Sequence, residues 1–312
     1  MNKFLSASQS PHIRHEDTTR GIMADVIIAL CPAAVYGCIL FGLKAIILLL
    51  ATTLSAVAAE YVWNLLLKKQ QTIGDLSAVV TGLLLGMNLS SEVPVWIAVI
   101  GSVVAIIVVK QMFGGLGYNF VNPAIAARIV LLVSFPSFMT AYSAPLTSYG
   151  DTVDAVTTAT PLVAESMPSL KELFFGMHAG SIGETSAFLL LIGGLYLIAR
   201  KVISPVIPVT FLGAFALATL IAGGKVLPEL FAGGIFLGAI FMATDYTTSP
   251  FTTLGRAIYG VCCGLITFVI RQFGALPEGV SYAIILMNII TPHINRLTLS
   301  KPFGWKEAVK RG

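Results

Sequence analysis

Charged residues are scarce in this chain. Of its 312 residues, Lys and Arg contribute 19 and Asp and Glu 15, so only 11% are charged, against roughly 25% in soluble proteins. Hydrophobic residues reach 56%, and the mean hydropathy is +0.87. A soluble globule could not cover its surface with so few charges. The composition excludes an extracellular enzyme, a nucleic-acid binder and a disordered tail, and it indicates an integral membrane protein.

Motifs for metal, nucleotide and iron–sulfur sites are also missing. The four cysteines fall inside apolar blocks, where cysteines usually only pack; they are Cys31, Cys38, Cys262 and Cys263. The sequence has no His-Glu-x-x-His pattern, no cysteine cluster, no Gly-rich phosphate loop and no nucleotide-binding βαβ unit. We therefore expect that the chain cannot oxidise NADH or bind ferredoxin without partner subunits.

Long apolar blocks separated by short polar clusters dominate the chain. A bilayer core about 30 Å thick needs about 20 apolar residues of helix, and lipid excludes irregular backbone. The candidate spanning segments are about 22–41, 43–67, 75–89, 93–110, 123–139, 185–200, 205–223, 228–244, 254–273 and 279–297. The predicted fold class is an all-α integral membrane protein with about ten transmembrane helices.

Two of these segments resemble each other and suggest an internal repeat. The third carries Gly82 and Gly86, and the eighth carries Gly234 and Gly238. Short, glycine-bearing segments at matching places in two halves are typical of repeated membrane folds. We therefore predict two five-helix halves, and the odd number of helices in each half inverts the second relative to the first.

The placement of Lys and Arg predicts the orientation. If the N-terminus is cytoplasmic, most of the 19 basic residues fall on the cytoplasmic side, and Arg128 lies within the fifth segment. The basic residues left outside are Lys44, Lys171, Lys225 and Arg271. Both termini are therefore predicted to be cytoplasmic. The parts of the chain are the first half with its N-terminal segment (1–139), an outside connector (140–184), and the second half with the C-terminus (185–312).

The connector is acidic and polar and carries a run of threonines. Thr157, Thr158 and Thr160 follow Asp154 and precede Pro161. Judged by residue types alone, this run is either an extended or turn segment before a proline or a set of exposed hydroxyls that accept a covalent group. The residue types do not choose between these two interpretations.

The spacing from Asp154 to Thr160 resembles a known modification motif. In that motif, Asp-x-x-Ser/Thr-small-Ala-Thr, a flavin transferase attaches FMN to the last threonine through a phosphoester. Nearly the whole chain is similar to a family that contains the D subunits of Rnf complexes and the B subunits of sodium-pumping NADH:quinone reductases. The similarity includes the stretches 115–124 and 241–245. Thr158 stands where many members carry glycine.

The resemblance implies that Thr160 tethers FMN and that Asp154, Thr157 and Thr158 belong to its attachment motif. It implies a subunit of an ion-translocating ferredoxin:NAD oxidoreductase in a bacterial inner membrane, inactive alone, with partner subunits of the A, B, C, E and G types. Electrons would pass through the flavin, which supplies the redox chemistry, and drive export of Na⁺ or H⁺. A noncovalent riboflavin is a second implied cofactor. The family's flavin transferase acts outside the cytoplasm, where basic-residue placement puts the connector.

Charged residues inside predicted spans form a second set of candidates, because each is costly in lipid unless paired or hydrated. Asp245, at the end of the eighth segment, and Glu60, inside the second, are the candidates for an ion pathway. A structural ion pair of Asp245 with Arg128 or Arg256 is the alternative. Asp25 and Asp75 lie near predicted cytoplasmic ends, where interfacial capping would explain them.

A passive small-solute transporter or channel is the competing functional class. Inverted five-helix repeats with broken segments suit solute permeation, and the resemblance relates this fold to urea transporters. Fold alone does not decide function. The threonine motif favours the redox interpretation, because a simple permease has no use for it.

Overall fold

The computed structural model describes residues 18–143, 145, 157–158, 168–184, 186–274 and 279–299. This part of the chain is predominantly helical. Its α-helices are α1 (Thr19–Leu66), α2 (Ser77–Met87), α3 (Val95–Val103), α4 (Pro123–Ser134), α5 (Pro136–Met139), α6 (Leu170–Phe175), α7 (Ala187–Ala199), α8 (Val206–Ile221), α9 (Val226–Phe231), α10 (Ile235–Leu237), α11 (Thr253–Phe273) and α12 (Gly279–Thr298). A π-helical segment follows α3 (Val104–Gln111) and another follows α10 (Gly238–Met242), and a 3-10 turn (Ile73–Asp75) precedes α2.

The first helix, α1, consists of two helices joined at a sharp bend. Gly42 has φ 69° and ψ −152°, a conformation outside the helical region that glycine adopts without the strain of a Cβ atom. The bend lies between the predicted segments 22–41 and 43–67, so the predicted break is confirmed. The first part begins at Thr18, whose hydroxyl accepts a hydrogen bond from the Gly21 amide at 3.1 Å.

Two predicted segments are not continuous helices. The segment 228–244 divides into α9, α10 and a π-helical segment, with Gly233 at φ 71° in the break. The segment 123–139 divides at Phe135, because the following Pro136 disfavours helical backbone at the residue before it. Each was predicted as one candidate span, and the structure shows where each is interrupted. The third segment is helical only as α2, whose 11 residues are about 16 Å long, roughly half the bilayer core.

Two helix contacts of the first predicted half have counterparts in the second. The second part of α1 packs on α3, and α8 packs on α11; α4 contacts the π-helical segment after α3, and α12 contacts α11. The two halves meet where α1 contacts α7 and where α4 contacts α12. Glycines allow this close approach: a Cβ atom on Gly193 would lie 2.4 Å from the Ala29 carbonyl oxygen.

The connector begins and ends against the turn that follows α2. Its strands β1 (Tyr142–Ser143) and β2 (Thr157–Thr158) pair antiparallel, and the hydroxyls of Ser143 and Ser91 lie 2.6 Å apart. Near its end, the Gly183 amide donates to the Met87 carbonyl at 2.7 Å. Residues 178–184 are all buried. The prediction that the whole connector is polar and soluble was wrong for this stretch, where small residues let the backbone enter the bundle.

The surface and the interior of the bundle have inverted polarity. Leu43, Leu195 and Ile221 are 70%, 64% and 87% exposed, whereas Glu60 and Lys110 are 1% and 2% exposed. Within the described residues, α1 and α11 are long and apolar enough to cross a membrane, and five shorter apolar helices accompany them. This distribution suits a protein whose outer surface faces lipid and whose charges face each other.

Candidate functional site

A cavity lies where α1, α2 and α4 begin and where the second π-helical segment ends. Its polar lining includes Ser77, Thr81, Lys110, Asn119 and Asp245. Its apolar lining includes side chains from α1, α2, α4, α7 and the second π-helical segment. We call it the Asp245 cavity. Its position is on the predicted cytoplasmic side of the bundle.

Asp245 is partly buried and is surrounded by neutral donors. Its Oδ2 atom accepts hydrogen bonds from the hydroxyls of Thr247 at 2.9 Å and Thr248 at 3.2 Å, and from the Asn119 amide at 3.4 Å. Arg256 instead donates from Nε to the Pro250 carbonyl at 3.0 Å. Among the described residues, the interpretation of Asp245 as an arginine ion pair is therefore wrong. A carboxylate ringed by hydroxyl and amide groups has the oxygen chemistry that hard cations prefer.

Glu60 forms a buried ion pair beside the same cavity. Its Oε2 atom lies 2.9 Å from Nζ of Lys110, and the two side chains are 1% and 3% exposed. Lys110 also donates to the Ser77 hydroxyl at 2.6 Å, and Thr72 donates to Oε1 of Glu60 at 2.5 Å. Since Lys110 and Ser77 line the Asp245 cavity, the structure brings both predicted ion-pathway residues to one place.

Asp25 and Asp75 each bond to other residues of the chain. Asp75 accepts hydrogen bonds from the amide and hydroxyl of Ser77, at 2.8 and 2.6 Å, and so caps the start of α2. The capping prediction is confirmed for Asp75. Asp25 accepts from the Tyr196 hydroxyl at 2.8 Å and lies 3.3 Å from Arg200, so it joins α1 to α7.

A second buried polar cluster lies further along α2 and α4. Nη1 of Arg128 donates to Oδ1 of Asn88 and, at 3.2 Å, to Oε1 of Glu184. Both charged side chains are almost fully buried, at 5% and 4% exposure. The sequence had assigned Glu184 to the solvated acidic connector. That assignment was wrong, because the re-entering stretch 178–184 carries this carboxylate into the bundle.

The structure describes only part of the threonine motif. Asp154 and Thr160 lie outside the described residues, and Thr157 and Thr158 are described as backbone only. These two residues form β2, opposite Ser143 and Tyr142 respectively. Since Ser143 is hydrogen-bonded to Ser91 in the turn after α2, the motif's strand is tied to the helix bundle.

Comparison with known proteins decides the family. The model of the NQR2, RnfD, RnfE family matches residues 6–304. The chain belongs to this family. Its family relatives include the D subunit of the Na(+)-translocating ferredoxin:NAD(+) oxidoreductase complex of Acetobacterium woodii, 50% identical over 97% of each chain. The D subunit of the proton-translocating ferredoxin:NAD(+) oxidoreductase complex of Clostridium ljungdahlii is 42% identical over 96% of each chain. The D subunit of an ion-translocating oxidoreductase complex of Stutzerimonas stutzeri is 38% identical over 91% of each.

Several residues of this family member gain importance only from the structure. In the sequence, Lys110 was only one of the basic residues used to predict the orientation, and Asn88 had no predicted role. His178 was an isolated histidine in the sequence, yet it is buried at the start of the re-entering stretch. The signal in the sequence was the run of small and apolar residues 179–183, which is unusual at the end of a polar connector.

Burial makes His178 sensitive to pH. Desolvation lowers the pKa of its imidazole from 6.5 to about 4, and Nδ1 has no hydrogen-bond partner among the described residues. Between these two pH values, His178 binds a proton when the stretch 178–184 is detached from the bundle and is neutral when the stretch is packed there. The equilibrium therefore shifts from the packed to the detached state as pH falls through this range, by up to about tenfold per pH unit. We expect hydrogen exchange of residues 178–184, corrected for intrinsic rates, to increase accordingly.

The matched control for this prediction is His178→Phe, which retains a buried ring and removes the titrating group. Its exchange should be flat between pH 6.5 and about 4. Equal pH dependence in the wild type and in His178→Phe would show that His178 does not carry the effect.

Proposed function

We propose that this chain is the membrane subunit of an Rnf-type ferredoxin:NAD oxidoreductase. In this proposal it relays electrons through FMN bound covalently to Thr160, and the electron flow drives Na⁺ or H⁺ across the membrane. The single observation that carries the proposal is the coincidence of D-subunit relatives over nearly the full chain with the motif from Asp154 to Thr160. One relative is named for Na⁺ translocation and another for proton translocation, so the proposal includes either ion as the one that is transported.

The proposed topology has ten spans in two inverted halves, cytoplasmic termini and the connector outside. Long-range contacts support it, because each joins residues that this topology puts on one side. Asp25 and Arg200 are both cytoplasmic in it, and they form an ion pair. Lys44 and Glu92 are both outside, and they are 3.0 Å apart. The packing of α8 on α11, which repeats that of α1 on α3, supports the repeat.

The chain's part in the redox chemistry is to hold and place the flavin. A phosphoester to Thr160 prevents loss by dissociation and limits the reach of the flavin, which when bound supplies the electron transfer. The described surroundings fit a tether: Thr157 and Thr158 form a strand that pairs with β1, and Ser143 of β1 is hydrogen-bonded to Ser91. In the proposal Asp154 presents the motif to a flavin transferase. A noncovalent riboflavin is included as a second cofactor of the subunit.

The chain supplies neither a nucleotide-binding nor an iron–sulfur motif, so the proposal requires partner subunits of the A, B, C, E and G types. These partners would exchange electrons with ferredoxin and NAD. The proposal places the assembly in the bacterial inner membrane and assigns this chain no nucleic-acid partner.

The proposed ion site is the Asp245 cavity, with Glu60 and Lys110 beside it. Replacing Asp245 with Asn removes the charge and keeps the shape and one acceptor oxygen. We expect ion uptake per electron transferred to fall about tenfold or more in vesicles that contain the assembled complex. Asp25→Asn is the control, since Asp25 pairs with the exposed Arg200 away from the cavity lining, and it should leave the ratio unchanged. Unchanged uptake in Asp245→Asn would remove Asp245 from the pathway.

In-gel fluorescence separates the redox function from a passive transporter. The chain is produced in a host that has the flavin transferase, denatured, and separated on a gel. Under ultraviolet light its band should fluoresce, because a covalent flavin survives denaturation. A dark band would overturn the flavin relay and leave the transporter interpretation.

A further inference from the structure

The Arg128 cluster lies one helical turn beyond the last residues of α2 and α4 that line the Asp245 cavity. Along α2, the last residue that lines the cavity is Leu84, and along α4 it is Ala124. Asn88 and Arg128 each follow one helical turn later. The Asn88 amide donates to the Leu84 carbonyl at 2.7 Å, so the cluster and the cavity end are in direct contact.

The other side of the cluster is closed by the re-entering stretch 178–184. Its packing leaves no space for a side chain: a Cβ atom on Gly37 would lie 2.3 Å from the Ile182 carbonyl oxygen, and one on Gly234 would lie 2.5 Å from Oε1 of Glu184. Arg128 therefore lies between the Asp245 cavity, on the predicted cytoplasmic side, and the stretch 178–184, which belongs to the predicted outside connector.

Arg128 contributes a positive charge that pH does not remove, because a guanidinium keeps its proton in proteins. A buried fixed charge acts over several ångströms with little screening. Charges of this sign at a constriction exclude cations and protons in membrane pores. On the connector side, Oε1 of Glu184 lies 3.2 Å from Nη1 of Arg128.

We propose that the charge of Arg128 blocks cations between the Asp245 cavity and the outside, and that Glu184 is the structural partner of that charge. The proposal rests on the topology and ion coupling proposed above. It also joins the ion path to the flavin-bearing connector, because Glu184 belongs to the same connector as the threonine motif.

Passive cation leak tests this role in the assembled complex. The complex is reconstituted in proteoliposomes without an electron donor, and Na⁺ and H⁺ entry are followed under an imposed membrane potential, negative inside. We expect Arg128→Gln to raise the leak at least about tenfold, because it leaves a carboxylate without the opposing charge. Arg128→Lys, which keeps the charge, and Glu184→Gln, which keeps the arginine, should remain tight.

This asymmetry separates a charge barrier from a purely structural pair. Arg128→Gln and Glu184→Gln break the same ion pair, so a structural role predicts equal leaks, and equal leaks would overturn the proposal. Where Arg128→Gln does not assemble, the double variant Arg128→Gln with Glu184→Gln retains a hydrogen-bonded neutral pair and should leak. If each charge-free variant that assembles is as tight as the wild type, Arg128 is not the barrier.

The assay distinguishes failure of this proposal from failure of the proposed function. It requires no flavin and no electron transfer, so a dark gel band would remove the flavin relay without changing the leak result. Gly234→Ala provides a separate steric test. A Cβ atom there must displace Glu184 but leaves Arg128 charged, so this variant should match Glu184→Gln and stay tight. A leaky Gly234→Ala would contradict the assignment of the barrier to Arg128.

Discussion

Replacing Thr160 with valine is expected to abolish the in-gel flavin fluorescence of this chain and electron transfer through the complex. Valine matches threonine in shape but has no hydroxyl oxygen, so no phosphoester can form. The loss should be complete, because the proposed relay has no other covalent attachment. Fluorescence of the denatured band and ferredoxin-dependent NAD reduction in membranes measure the two effects.

Thr157→Val and Thr158→Val are the matched controls for this prediction. Both keep the Thr160 hydroxyl and preserve the β-branched shape that suits a strand, so both should fluoresce. Fluorescence that persists in Thr160→Val and disappears in one of these controls would move the attachment to that residue. Fluorescence in all three single variants would contradict a single attachment in this motif.

The second large effect is expected from Lys110→Met. The substitution leaves the Glu60 carboxylate buried without its ammonium partner, and removing one member of a buried ion pair costs about 3–5 kcal/mol. We expect a marked fall in the melting temperature of the purified protein. Lys44→Met is the control: Lys44 pairs with Glu92 but is 60% exposed, and exposed pairs contribute about 0–1 kcal/mol.

A double variant tests whether the unpaired charge is the cause. Glu60→Leu combined with Lys110→Met removes both charges, and apolar replacements of buried pairs are often tolerated. The double variant should therefore recover most of the stability that Lys110→Met loses. A double variant as unstable as the single one would show that packing around Lys110, and not the charge on Glu60, accounts for the loss.

Helix positions could be predicted from the sequence wherever a long apolar run ends at a clear signal. The bend at Gly42 and the starts of α11 and α12 fall within a few residues of the predicted segment ends. Helix breaks inside apolar runs were harder to predict. Pro136 could have indicated the end of α4, whereas the division of the segment 228–244 depends on backbone geometry at Gly233, which composition does not report.

Charge partners could not be predicted because they are distant in sequence. Glu60 and Lys110 lie 50 residues apart and Arg128 and Glu184 lie 56 apart, and several pairings satisfy the same composition. Asp245 was accordingly considered a partner for Arg128 or Arg256, but its described partners are hydroxyl and amide groups. The sequence did select Asp245 and Glu60 as acids removed from solvent: Glu60 is buried inside α1, and Asp245 is partly buried just after the second π-helical segment. Only the structure shows that Asp245 lines the cavity and that Glu60 pairs with Lys110 beside it.

The intact mass of the chain tests the central claim most directly. The protein is isolated from a host that has the flavin transferase, together with the Thr160→Val variant as its reference. The account predicts that the wild-type mass exceeds the unmodified sequence mass by one FMN less one water, and that the variant has the unmodified mass. An unmodified wild-type chain, or the same added mass on Thr160→Val, would contradict it.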